Sequence, residues 1–397
     1  MTQRRHVLTA AALAPWLPKA FAADAAWDRI ERTARGQTVY FNAWAGSENI
    51  NAYLQWAGAV VEKRWGVKLE HVKISDTAEV VKRVRTEKQA GRVADGSVDA
   101  VWINGENFLA MKRDGLLFGP FSESLPAYAA VDAAGKPTTR IDFSEPVAGL
   151  EAPWGMAQLT YYGDSAKLPQ PPRSLAELLA FAQRNPGRVT YPKPPNFHGT
   201  TFLKQLLLEA SADRQPFYAA VKPEAFASLS APLWRTLDAL HPNLWRQGQQ
   251  FPASNTVMRQ MLADGELLMN LSFNPFDAAN EIAAGRLPAT VVSWQPSGGS
   301  IGNTHFIAIP FNARAKEGAQ VLINFLLSPQ AQARKADIKV WGDPTVLAVE
   351  RLSAADRALF AQSAAPGTVT QPAPAWPEPH ASWVDAIERE WLTRYGQ

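Results

Sequence analysis

The chain has 397 residues, 40 Lys and Arg against 37 Asp and Glu, 14 tryptophans and no cysteine. The lack of cysteine excludes a disulfide framework, a thiol nucleophile and a lipid-modified cysteine anchor. Stability must then come from core burial, for which this length is ample as two domains. The basic excess sits in residues 1–22, which carry Arg4, Arg5 and Lys19 and no acid. The remaining 375 residues balance at 37 of each sign, which gives no support for nucleic-acid or anionic-membrane binding.

Arg4-Arg5, an apolar run from Val7 to Leu17 and the triplet Ala20-Phe21-Ala22 read as a secretory signal peptide cleaved near Ala22. Pro15 and Pro18 argue against a buried first helix. The paired arginines followed by His6-Val7-Leu8 resemble a twin-arginine (Tat) signal, although Gln3 stands where Ser or Thr is usual, so Sec export stays open. No later apolar run reaches the roughly 18 residues a membrane helix needs. The expectation is a soluble periplasmic protein with no direct membrane insertion.

Ala25 to Gly36 is a short amphipathic helix, and residues 38–44 form the first core strand, followed by turn residues 46–49 and a helix over 50–65. Residues 67–73 alternate like a second strand; a charged helix spans about 76–89, and 98–103 is a buried strand ending at Asn104-Gly105-Glu106-Asn107. Strands alternating with helices predict an α/β domain with a largely parallel sheet. The run 152–162 is strand-like, and helices fit 174–183, 201–210, 223–240 and 256–263. Extended segments 289–294 and 304–309 bracket Ser297-Gly298-Gly299-Ser300 before a helix over 316–327. The Pro-rich stretch 371–379 reads as extended, and a last helix covers 382–395.

In parallel sheets ligands lie off the carboxyl ends of the strands. Two such ends carry polar groups: Asn42, Trp44 and Ser47, and Asn104, Glu106 and Asn107. They are either ligand contacts or ordinary turn residues. Catalytic patterns are absent: the five histidines beyond residue 22 show no metal spacing, no G-x-S-x-G occurs, and Gly298-Gly299 lacks the Lys of a phosphate loop.

Four segments carry a family resemblance. They are Gly96–Trp102 with Phe108 and Gly115-Leu116-Leu117; Leu159–Tyr162 through Pro171–Leu178; Met261–Glu266; and Ala319–Gln330, ending Phe325-Leu326-Leu327-Ser328-Pro329-Gln330. Their order over about 300 residues resembles the family 1 solute-binding proteins of bacterial ABC importers, a group with maltodextrin, ferric-iron, thiamine and polyamine binders. Within that group the likeness is to an enterobacterial-type branch. The resemblance implies a type II two-lobe periplasmic-binding-protein fold, with a hinge of crossing strands and a cleft between discontinuous lobes, 23–153 plus 290–325 and 154–289 plus 326–397. It implies a monomer that is not an enzyme, takes no cofactor or metal, and closes over a small-molecule solute for delivery to inner-membrane permease subunits. An exported hydrolase is the alternative.

The family positions of Trp44 and Trp154 line the cleft, where an indole could stack on a sugar, a ring or a cation; either could instead pack in the core. Asn196–Thr201 precedes a helix. There Thr200 either offers its hydroxyl to a ligand or belongs to an ordinary N-terminal cap, and His198 is a contact or a surface residue. Asn274 aligns with a cleft-facing turn, and Glu106 either pairs with a cationic solute or is a solvated acid. Tyr161-Tyr162 resembles the tyrosine pair of iron binders but lies too early in the chain for that role.

Overall fold

The computed structural model describes residues 19–361 and 365–396, so all but the last four residues of the signal peptide read over 1–22 lie outside them. Helix α1 (Lys19–Ala34) leads into strand β1 (Thr38–Trp44), whose β-branched and aromatic residues suit a buried pleated surface. Helix α2 (Glu48–Trp65), strand β2 (Lys68–Ile74), helix α3 (Thr77–Gln89) and strand β3 (Ala100–Ile103) complete an alternating α/β unit. β1 pairs in parallel with both β2 and β3. Helix α4 (Gly105–Arg113) then starts where the sequence predicted only a polar turn.

A two-strand hairpin, β4 (Ile141–Asp142) and β5 (Glu145–Pro146), precedes β6 (Glu151–Gln158). The predicted single run over 152–162 is in fact β6 followed by β7 (Thr160–Asp164), broken at Leu159. Helices α5 (Leu175–Arg184), α6 (Phe197–Ala210), α7 (Pro223–Leu240) and α8 (Asn255–Ala263) lead to β8 (Asn270–Ser272), α9 (Asp277–Ala283) and β9 (Val291–Trp294). Strands β8, β7 and β9 make a second, antiparallel sheet. The chain returns to the first sheet through β10 (Ser300–Ala308), buried along its whole length between β6 and β3. Helices α10 (Lys316–Leu326), α11 (Pro329–Ala336) and α12 (Ala354–Ala358) follow. The tail forms β11 (Ala375–Trp376) on β10 and ends in α13 (Ser382–Tyr395).

Each sheet carries its own core. Val39, Phe41, Tyr53, Leu54, Trp154 and Ile307 belong to the first, and Tyr161, Leu206, Trp234, Trp294, Trp383 and Trp391 to the second. The division departs from the segments expected from sequence. Leu326, Leu327, Ala331, Trp341 and Leu347 pack with the first core, whereas Trp294 and Ile301 pack with the second. The reason is that β10 spans both units: Ile301 near its start lies in the second core and Ile307 near its end in the first. The chain therefore crosses between the units twice here, at the end of β6 between Trp154 and Leu159 and within β10 between Ile301 and Ile307.

A buried triad stands beside this crossing. His305 on β10 lies 3.0 Å from Asp343, and Lys335 on α11 contacts the same carboxylate. Burial works to raise the Asp343 carboxyl, but His305 and Lys335 hold it below its ordinary value. The second core has its own polar knot. The Tyr162 hydroxyl donates to Asp277 at 3.1 Å and accepts from the Asn270 amide at 2.7 Å. Tyr162→Phe should cost about 1–3 kcal/mol in urea unfolding, because the buried Asn270 donor loses a partner. The Tyr161-Tyr162 pair is thus packed into the second sheet, with both residues nearly fully buried.

Candidate ligand-binding cleft

The carboxyl ends of β1, β2 and β3 deliver the chain into the N-termini of α2, α3 and α4, so three sets of free helical N–H groups meet at one edge of the first sheet. Asp76 caps α3 in the ordinary way, its carboxylate accepting from the Ala78 N–H at 2.8 Å. Ser47 and Asn104 hold the corresponding cap positions of α2 and α4, yet neither side chain makes a cap hydrogen bond. Among the described residues these two polar groups stay unspent, half-buried at the strand ends. Asn42 differs: it is fully buried, with its amide on the Tyr40 carbonyl and its oxygen accepting from Arg83.

Trp44 is half-buried, its ring laid over Gly46 so closely that a Cβ there would come within 2.1 Å of it. Trp154 is placed otherwise than expected. It is 1 % exposed and packs against Phe41, Trp102 and Trp341 with ring centroids 5.8, 4.8 and 5.3 Å away. The strand that brings it to the hinge turns its indole into the core. The half-buried indole beside it is Trp102, which periodicity in a short apolar strand does not single out.

Glu106 lies in the first turn of α4, its carboxylate accepting from the Asn107 amide at 3.0 Å. Burial pushes the Glu106 carboxyl up to about 7, against the pull of its own N–H and of Lys204, with Asp385 and Asp76 adding to the rise. Across from α4 stand α6 and α13, where Val384 of α13 and Ala381 just before it pack with Leu109 of α4 and Phe143. Asn196 caps α6 by accepting from the His198 N–H at 3.0 Å. The His198 ring is held neutral, burial lowering it to about 4. Its neighbour Phe197 is 36 % exposed and edges onto both His198 and Phe273.

Thr200 does not offer a free hydroxyl. It is 3 % exposed and donates to Glu388 of α13 at 2.6 Å. Glu388 is the acid the sequence reading missed, pushed up to about 7 chiefly by burial, with Glu106 among the charges raising it. Asn274 is likewise engaged. Its oxygen accepts from the Phe276 N–H at 2.9 Å, and its amide donates to the Trp341 carbonyl of the first core at 3.3 Å, so it ties the two units together.

Burial raises the carboxyls of Glu106, Asp142, Glu378 and Glu388, and Lys204 of α6 pulls against the rise in each, so four acids share one ammonium. It is 2 % exposed and ion-paired to Glu378 at 2.7 Å. The sharing has a pH consequence. Glu106 and Glu388 shed a proton near 4.5 in the unfolded chain but keep it to about 7 when folded. Between those values the folded state binds more protons, so their contribution falls as pH rises and is flat above about 7. Glu106→Gln should flatten the stability profile between pH 5 and 7 in urea melts; an unchanged slope would remove Glu106 from that account.

The description "bacterial extracellular solute-binding protein" covers residues 55–361. The chain belongs to that family. It is 47% identical over 370 residues to Protein YnjB of Escherichia coli (strain K12), covering 93% of this chain and 94% of that one. The periplasmic binding protein AfuA from Actinobacillus pleuropneumoniae, with fructose-6-phosphate bound, shares its fold at TM-score 0.62 and 14% identity, over 90% of this chain and 99% of AfuA. The spermidine/putrescine ABC transporter substrate-binding protein PotD from Streptococcus pneumoniae matches at TM-score 0.60 and 12% identity, over 91% and 98%. This solute-binding protein is thus an α/β molecule with the two-lobe fold of those binding proteins. Among its described residues no helix is long and apolar enough to cross a membrane.

Proposed function

We propose that this solute-binding protein is exported to the periplasm through its N-terminal signal, captures a small polar solute between its lobes, and presents the closed form to permease subunits in the inner membrane. It acts as a monomer and catalyses no reaction. Its lobes are 23–156 with 302–360, and 157–301 with 375–396, following the two cores. The observation that carries the reading is the pair of unspent cap side chains, Ser47 and Asn104, at the carboxyl edge of a parallel sheet opposite α6 and α13. Such an edge offers oriented N–H groups and polar side chains without further rearrangement. Trp44, Trp102 and Phe197 supply aromatic faces, and Glu106, Asn107 and His198 the remaining polar contacts.

The acid excess around Lys204 sets a preference. Glu106 and Glu388 gain from a guest that carries positive charge or donates hydrogen bonds and lose from a phosphate or sulfate. In this AfuA's sugar phosphate is the weaker guide and PotD's polyamine class the stronger.

A thermal-shift screen of sugars, sugar phosphates, polyamines, thiamine, oxyanions and ferric iron tests the reading, with tryptophan emission recorded in parallel. A solute at 100 times its dissociation constant should add about 2.7 kcal/mol of stability. Turnover of a compound, with no class raising the melting temperature, would sink it. Ser47→Ala with Asn104→Ala should weaken binding of the identified solute about tenfold or more in calorimetry while leaving the melting temperature of the empty protein within a few degrees.

A further inference from the structure

The hairpin of β4 and β5 has a two-residue loop, Phe143-Ser144, with φ of 41° and 62°. Two-residue loops with both φ values positive are turns that select Asn-Gly, and a bulky side chain is disfavoured there. Phe143 and Ser144 therefore hold a backbone that their own chemistry opposes, which persists only where surrounding contacts over-determine it.

Those contacts come from the C-terminal segment. The Phe143 carbonyl accepts from the Ala381 N–H at 3.0 Å, and the Ser144 hydroxyl donates to the Glu378 carbonyl at 2.8 Å. The Phe143 ring is 2 % exposed, packed with Ala381 and Val384 under the Lys204 ammonium, 4.2 Å from its centroid. On its other side it lies against Gly105, whose φ of +61° and missing Cβ make the room.

The two partners belong to different lobes. The hairpin is bound to the first lobe through Asp142, which accepts from the Gly105 N–H at 2.6 Å, and through Lys112, which pairs with Glu145 at 2.6 Å. The C-terminal segment is bound to the second: Trp383, Ile387 and Trp391 lie in its core, and Glu378 pairs with Lys204 of α6.

We propose that the Phe143-Ser144 tip is a latch between the lobes, seated in the C-terminal segment when the cleft is shut and withdrawn when it opens. The empty protein then rests mainly in the shut form. Withdrawal relieves the strain in the turn, which limits how far the latch favours the shut form and leaves a solute's differential affinity to deepen that preference. The inference rests on the two-lobe hinge and not on which solute binds.

The chain has no cysteine of its own, so a pair of spin labels reports the motion cleanly. Val93→Cys in the first lobe and Val257→Cys in the second place labels at exposed positions, 72% and 44% accessible. Without added solute, the parent pair should give one narrow short-distance population. Phe143→Ala with Ser144→Ala, which removes the ring and the hydroxyl and leaves the turn strained, should move most of the population to longer distance. Ser144→Ala, which keeps the ring and its packing, should move a smaller fraction, and it keeps the test decisive if the double variant melts early. Identical distributions in the parent and both variants, or a parent already at the longer distance, would overturn the latch while leaving solute capture intact.

Discussion

Replacing Lys204 by Met should cost about 3–5 kcal/mol of stability, the toll for leaving a buried carboxylate without its partner. Lys204 and Glu378 are 2 % and 1 % exposed by side chain and 2.7 Å apart, so water cannot take the lost partner's place. Asn303 holds the other Glu378 oxygen at 3.0 Å and cannot neutralise it. Adding Glu378→Gln to Lys204→Met should recover more than half of the loss, since a neutral amide needs no counter-charge. Urea unfolding of the two single variants and the double variant measures the coupling. A double variant no more stable than Lys204→Met would show that packing of the lysine stem, and not charge, is what matters.

Trp154→Ala should be comparably damaging, about 3–5 kcal/mol in the same assay, because it empties a large site among Phe41, Tyr53, Trp102 and Trp341. Trp102→Ala should cost less than half as much, its ring being only partly buried, but should abolish most of the emission change on adding solute. The opposite ranking, with Trp154 silent in stability and essential in binding, would return Trp154 to the cleft and turn the assignment of the two indoles around.

That contrast marks where the sequence stops being readable. The parallel strand ends were legible because β1 and β3 are short runs of buried residues between helices of clear period, and α7 and α13 were delimited to the residue. Helix α4 was hidden because Asn104-Gly105-Glu106-Asn107 has turn chemistry, and it takes the positive φ of Gly105 to begin a helix there. For Trp154, alternation along β6 names a face but not whether core or cleft lies beneath it. The ionic knot was invisible for a different reason: Glu106, Lys204 and Glu378 are nearly a hundred or more residues apart, and only the folded chain joins them. One clue was legible, a single lysine in the run Phe202–Leu208 of α6, otherwise apolar but for Gln205, where a solvated charge has no place.

The path of β10 bears on how the molecule is born. Neither half can finish on its own: the first waits for Ile307 to Leu347, and the second for Trp376 to Trp391. A ribosome has released nearly the whole polypeptide before either hydrophobic interior can close. Assembly is therefore late, dominated by distant pairings and slow for its size. Nascent chains of this protein should stay protease-sensitive until their last twenty residues emerge.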